Sequence, residues 1–187
     1  MDKKMFCFQC EQTAGCTGCM GNAGVCGKDS TTAALQDELT GALIGLAKSC
    51  GSNPKTDNTD RIIIEGLFTT ITNVNFNNET LKNMIDRVHK EKNIISPDCS
   101  VCQSRCGNTD DYDMENLWKE SEEIGAFKNT ILMVICQTAA KLYHADQTEE
   151  SETVKLLFRA LRMISFEGWD VAGLIPVMLE LGKAGRI

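Results

Sequence analysis

Ten cysteines are the residues of this 187-residue chain with the clearest chemical potential. Five of them fall within residues 7–26 and three within residues 99–106, whereas Cys50 and Cys136 stand alone. In a reducing compartment, where ordinary disulfides do not persist, clustered cysteines bind metal or carry out redox chemistry. Both groups are therefore candidate metal sites.

The first group has the spacing Cys7-x2-Cys10-x5-Cys16-x2-Cys19-x6-Cys26, with a glycine at every third position from 15 to 27. Two cysteines separated by two residues can direct both thiolates at one metal centre. Four thiolates are the usual complement of a 4Fe–4S cluster, a 2Fe–2S cluster or a structural zinc ion. The glycine content and the lack of histidine in this loop favour iron–sulfur over zinc, and five cysteines leave one spare.

The second group, Cys99, Cys102 and Cys106, supplies three thiolates and is a weaker candidate for a second metal site. Cys50 or Cys16 would complete it if folding brings one of them close. Oxygen ligands are available instead from four aspartates of the same region, Asp98, Asp110, Asp111 and Asp113. The alternative is a connector with free thiols or a labile disulfide.

Helical periodicity accounts for the rest of the chain. Apolar residues spaced by three and four positions predict helices that begin near Asp29, Asp60, Asn77, Leu117, Glu149 and Asp170. The pattern over residues 117–142 is either one long helix or two joined helices, and Cys136 on its apolar face indicates core packing. Pro176 is tolerable only near the first turn of the last helix. No segment requires a strand, so the prediction is an all-α fold.

The second helical half repeats the first. Residues 67–88 match residues 157–178 at a constant offset of 90 positions, including the turn between two helices. We therefore predict two consecutive three-helix bundles within one compact domain. Its predicted segments are a cluster-binding loop at 1–28, a first bundle at 29–92, a connector at 93–113 and a second bundle at 114–187.

Composition excludes several classes of function. The formal net charge of −7 argues against nucleic-acid binding, which needs a concentrated basic face. No apolar run approaches the ~18 residues of a membrane span, and the chain opens without an apolar signal segment. We expect a cytoplasmic protein with no membrane partner.

Basic residues on the outer face of the third helix predict a solvated surface: Lys82, Arg87, His89, Lys90 and Lys92.

Several stretches of the sequence resemble one known family. Residues 5–14, Met-Phe-Cys-Phe-Gln-Cys-Glu-Gln-Thr-Ala, and residues 24–28, Gly-Val-Cys-Gly-Lys, are similar to the start of the hybrid-cluster proteins. These are also called prismane proteins or hydroxylamine reductases. Residues 34–37, 66–76 and 106–114 extend the resemblance over nearly the whole chain, which corresponds to the N-terminal helical domain of that longer family.

The resemblance implies a 4Fe–4S cluster near the protein surface, held by Cys7, Cys10, Cys19 and Cys26. Family members with a longer middle gap carry a 2Fe–2S cluster instead. This chain has an extra residue before Cys26 and an extra cysteine, so Cys16 either replaces Cys19 in the implied set or is a bystander.

The resemblance also bears on activity. The His, Glu and Cys ligands of the family's catalytic hybrid cluster lie in later domains, and this chain ends at Ile187 before any of them. We therefore expect no catalytic residue here, and an electron-transfer module that works with a redox partner protein or a larger redox enzyme subunit. The alternatives are a detached domain of a hydroxylamine-reductase-type oxidoreductase and a zinc-stabilised interaction module.

Overall fold

The computed structural model describes residues 7, 18–51, 53–71, 76–97 and 110–184. Within these ranges the chain has no β-sheet, which confirms the all-α prediction. None of the helices in the described ranges has the length and apolar character needed to cross a membrane. The helices are α1 (Ser30–Ser49), α2 (Thr59–Ile71), α3 (Asn78–Ile95), α4 (Glu115–Lys119), α5 (Glu122–His144), α6 (Glu152–Ile164) and α7 (Val171–Ala184).

Side-chain caps determine where the helices begin. The carboxylate of Asp29 accepts a hydrogen bond from the Thr32 backbone N–H at 2.7 Å, and Asp170 accepts one from Gly173 at 2.8 Å. Each cap satisfies a backbone donor that the first helical turn leaves unpaired, a contribution of about 1 kcal/mol. Both residues cap the helices that the sequence assigns to them.

Two details of the second half differ from, or refine, the sequence prediction. The 117–142 pattern forms two helices, because the hydroxyl of Ser121 caps a new helix by accepting from Ile124 N–H at 3.4 Å. Pro176 lies in the second turn of α7, one turn deeper than expected. Its ring removes the N–H that would bond the carbonyl of Ala172, and Ala172 is exposed, so water can satisfy that carbonyl.

The helices pack as two triplets around one apolar core. Helices α1, α2 and α3 contact one another, α5, α6 and α7 do the same, and the triplets meet where α2 packs on α5 and α1 packs on α6. Exchanging α1 with α5, α2 with α6 and α3 with α7 reproduces all of these pairings. The packing therefore has the twofold character that the internal repeat predicts, whereas the four segment boundaries stay a prediction.

The end of the connector crosses the surface of α1. The Lys48 ammonium donates to the carbonyl of Asp110 at 3.1 Å, and two turns earlier the N–H of Tyr112 donates to the carbonyl of Gly41 at 3.1 Å. A β-carbon at Gly41 would clash with the Tyr112 carbonyl oxygen. Glycine is therefore what lets residues 110–113 lie directly on the helix.

The basic face of α3 is only partly solvated. Lys82 and Lys90 are exposed as predicted, but Lys92 is 3% exposed and forms an ion pair with Asp111. The imidazole of His89 contacts the other oxygen of the same carboxylate at 2.7 Å. Sequence periodicity placed Lys92 on the outer face because it could not show that residues 110–113 cover that end of α3.

Candidate metal centre

Cys7 and Cys19 lie directly opposite each other in a two-residue antiparallel bridge. The backbone N–H of each residue donates to the carbonyl of the other, at 3.1 and 2.8 Å. In such a pair both side chains leave the backbone on the same face, with β-carbons about 4.5–5.5 Å apart. The bridge therefore brings together two thiols that are distant in sequence.

The cysteine pair packs against the first turn of α1. Cys19 is 7% exposed and contacts the buried Ala33, and the half-buried Cys7 packs on the same small cluster. Just before the bridge, Gly18 has a φ of +83°, a backbone conformation that favours glycine. The positive end of the α1 dipole lies next to this pair and favours negative charge there.

Lys28 is a buried charged residue in contact with the pair, and the spacing of the cysteines does not predict it. Its side chain is 1% exposed, and its ammonium donates to the sulfur of Cys7 at 3.6 Å. A hydrogen bond of 2.7 Å from Gly24 N–H to the Lys28 carbonyl, and the bridge between Ala23 and Asp29, close the turn that places it. The signal in the sequence was the Cys-Gly-Lys triplet at 26–28.

Cys26 lies in that turn with an exposed, free thiol. The next residue, Gly27, has a φ of +86°, and the turn depends on it. No three His, Cys, Asp or Glu side chains in the described part of the chain are close enough together to hold a metal ion. The structure thus brings Cys7 and Cys19 together but not Cys26 with them, and the predicted ligands Cys10 and Cys16 lie outside the described residues.

The second predicted group, Cys99, Cys102 and Cys106, lies entirely outside the described residues. Of the fourth ligands considered for it, Cys50 is described: it caps the C-terminal end of α1 and is half-buried. Burial raises the pKa of the Cys50 thiol to about 12, opposed by the charges of Lys55 and Arg162. Because the thiolate is the form that binds metal, this environment disfavours Cys50 as a ligand.

Cys136 is part of the apolar core, as predicted. It is 8% exposed, and its sulfur lies 3.5 Å from the hydroxyl oxygen of Thr70. Burial raises the pKa of this thiol to about 11, while the contact with Thr70 lowers it. Cys136 is therefore a packing residue and a suitable reference for thiols that bind no metal.

Asp37 interacts electrostatically with both the candidate metal centre and the end of the connector. It follows Ala33 by one turn on the same face of α1, and burial raises the pKa of its carboxyl group to about 7. The positive charge of Lys28 acts in the opposite direction, and the negative charge of Asp113 raises the pKa further. The carboxyl group therefore lies within the electrostatic range of both loops.

The described residues supply part of a thiolate site for an iron–sulfur cluster. Two adjacent thiols supply soft ligands, and Cys26 and Cys10 are close to them in sequence. The buried ammonium of Lys28 offsets negative charge at the sulfur of Cys7.

Comparison with known proteins now identifies the family. The model of the Prismane/CO dehydrogenase family matches residues 5–186, almost the entire chain. The chain belongs to this family. The match confirms the resemblance that the cysteine loop and the helices after it suggested.

Relatives in this family carry the name hydroxylamine reductase. The relative from Methanococcus vannielii is 33% identical over 96% of this chain, and that from Caldanaerobacter subterraneus is 32% identical over 97%. A protein of Clostridium acetobutylicum named hydroxylamine reductase 2 is 44% identical over 97% of this chain. The matches cover 37%, 37% and 39% of these relatives, so this chain spans well under half of their length.

Proposed function

We propose that this chain binds a 4Fe–4S cluster through Cys7, Cys10, Cys19 and Cys26 and transfers single electrons to or from a redox partner. The observation that carries the proposal is the pairing of Cys7 with Cys19 beside the buried ammonium of Lys28. Membership of the Prismane/CO dehydrogenase family supports iron–sulfur chemistry. The thiol-rich composition supports a cytoplasmic location.

Each residue of the centre has a distinct task. Cys7 and Cys19 would hold the cluster from the bridge, and Cys26 and Cys10 would complete the set of four thiolates. Lys28 compensates the negative charge of the thiolates. When bound, a 4Fe–4S cluster supplies a centre that takes up and releases one electron.

The surroundings of the turn suit a brief encounter with another redox protein. Met20 is 58% exposed and Val25 is 61% exposed, on either side of the turn that begins at Gly24. Electron-transfer partners form small, weak interfaces, typically below about 1,200 Å². We propose that Met20 and Val25 form part of such a contact.

Anaerobic purification with iron and sulfide analysis tests the cofactor. We expect a brown protein with about four iron atoms per chain that is bleached by dithionite and then gives an electron paramagnetic resonance signal. About two iron atoms would assign a 2Fe–2S cluster, and about eight would indicate a second centre at Cys99, Cys102 and Cys106. A colourless protein with stoichiometric zinc would overturn the proposal in favour of an interaction module.

Serine substitutions test the ligand set. Cys7→Ser and Cys19→Ser are expected to lose the iron, since cluster binding depends on both thiolates. Cys136→Ser makes the same chemical change at a buried core thiol and is expected to keep full iron content. If Cys19→Ser keeps its iron while Cys16→Ser loses it, Cys16 is the ligand instead.

A second candidate function follows from the names of the relatives. Proteins named hydroxylamine reductase match 96–97% of this chain, which favours a role as the first part of an oxidoreductase of that type. We propose that any such catalysis requires residues outside this chain. The isolated chain, loaded with iron and supplied with a chemical reductant, is expected to reduce no hydroxylamine, and measurable turnover would contradict this view.

A further inference from the structure

Lys28 is a buried charge directed at a predicted cluster ligand. Its side chain is 1% exposed, and its ammonium donates to the sulfur of Cys7 at 3.6 Å. Removing an ammonium group from water costs several kcal/mol unless nearby negative charge compensates it. Burial at this position therefore requires a persistent anionic neighbour.

Two of the groups near Lys28 can carry negative charge. The thiolate form of Cys7 is in direct hydrogen-bond contact, and the carboxyl group of Asp37 interacts with Lys28 electrostatically. Burial favours the neutral form of Asp37, so that carboxyl group is a poor permanent counter-charge. The direct contact with the Cys7 sulfur places the ammonium beside the predicted cluster ligand.

We propose that Lys28 tunes the reduction potential of the cluster, by donating a hydrogen bond to the Cys7 sulfur and placing a positive charge beside it. This inference rests on the proposed cluster at Cys7. When one electron from dithionite enters a thiolate-bound cluster, the negative charge of the cluster rises by one. A fixed cation nearby stabilises the reduced form more than the oxidised form and raises the potential.

The test is a redox titration of the iron-loaded full chain, followed by electron paramagnetic resonance. Lys28→Met removes the charge and keeps the length of the side chain, whereas Lys28→Arg keeps the charge. Lys155→Met removes a lysine from the exposed surface of α6 and serves as the matched control. If Lys28→Met does not fold, Lys28→Gln makes the same comparison with a polar side chain.

We expect Lys28→Met to bind iron and to shift the reduction equilibrium against the reduced form by at least about tenfold, which is about 59 mV for a one-electron couple. Lys28→Arg is expected to restore most of the potential, and Lys155→Met to leave it unchanged. An iron-loaded Lys28→Met with the wild-type potential would overturn the role of Lys28 alone. Wild-type protein without iron would overturn the proposed cluster and this role together.

Discussion

The carboxyl group of Asp37 interacts electrostatically with one residue from each of the two cysteine-bearing regions. Lys28 approaches it from the first loop and Asp113 from the end of the connector. Burial raises the pKa of this carboxyl group from 3.8 to about 7. At a pH between these two values, the folded protein holds a proton there that the unfolded chain releases. Folding is therefore coupled to protonation at this position.

This coupling predicts a pH-dependent stability that Asp37→Asn removes. The folded state binds the proton more tightly, so the contribution of Asp37 is fully present below about pH 4 and is lost as the pH rises to about 7. Relative to Asp37→Asn, the wild type is expected to lose on the order of 1–4 kcal/mol of unfolding free energy across this range. Urea unfolding at several pH values measures the difference, and parallel curves for the two proteins would contradict it.

Lys28 shows why part of the site could not be predicted from the sequence. The spacing of the cysteines identified the loop, and the structure places two of them, Cys7 and Cys19, side by side. The burial of Lys28 depends on the turn closed by Ala23 and Asp29, a tertiary feature without a periodic pattern. A lysine in a glycine-rich loop is usually solvated, so residue type alone pointed away from this role.

At the scale of elements, α1 is the helix on which the other parts of the site depend. Its first turn supports the cysteine pair, its side faces α3 and α6, and its surface carries residues 110–113. Close approach of a backbone segment to a helix requires a residue without a β-carbon. Gly41 meets this requirement at the carbonyl of Tyr112.

Two glycine-to-alanine substitutions are expected to act in opposite directions. Gly41→Ala forces its new methyl group into the Tyr112 backbone and should destabilise the protein by about 1–3 kcal/mol. Gly182→Ala, in α7, meets no atom within 4 Å and should stabilise by roughly 0.5–1 kcal/mol through helix propensity. Thermal unfolding followed by circular dichroism compares them, and equal effects would show that the 110–113 contact contributes nothing.

Helix positions were the most predictable feature, because they depend on local signals. Caps at Asp29 and Asp170 and the apolar spacing that follows them are visible in the sequence alone. The break before α5 does not follow from the sequence, since the apolar pattern continues through Ser121 without interruption. The burial of Lys92 was missed because its cover comes from residues 110–113, which have no helical pattern.

Both helix triplets contribute side chains to one apolar core. The apolar cluster includes Leu43 of the first triplet and Leu157 of the second, both wholly buried. Because α1 packs on α6 and α2 packs on α5, neither triplet can open without exposing apolar surface of the other. The fold should therefore unfold as one unit although its sequence repeats.

The positions of the tryptophans allow a test of whether the two helix triplets unfold in one transition. Trp118 and Trp169 both lie in the second half of the chain, so tryptophan fluorescence does not report directly on the first triplet. Leu43→Ala is expected to lower the unfolding free energy by about 2–5 kcal/mol and to shift the fluorescence and circular dichroism transitions equally. Leu179→Ala, at a site that is 61% exposed, is the control with little expected change. A fluorescence transition unmoved by Leu43→Ala would show independent bundles.

The contacts of Asp111 have a consequence for how such sequences can diverge. Lys92 and His89 near the end of α3 both hold this carboxylate, so the chain leaves the helical body and returns to it at adjacent points. Where both ends of a loop are tied, each doubling of its length costs only about 0.6 kcal/mol of closure entropy. Because Asp111 is held against α3, insertions or deletions in the connector before it are compatible with helices that keep their register on either side.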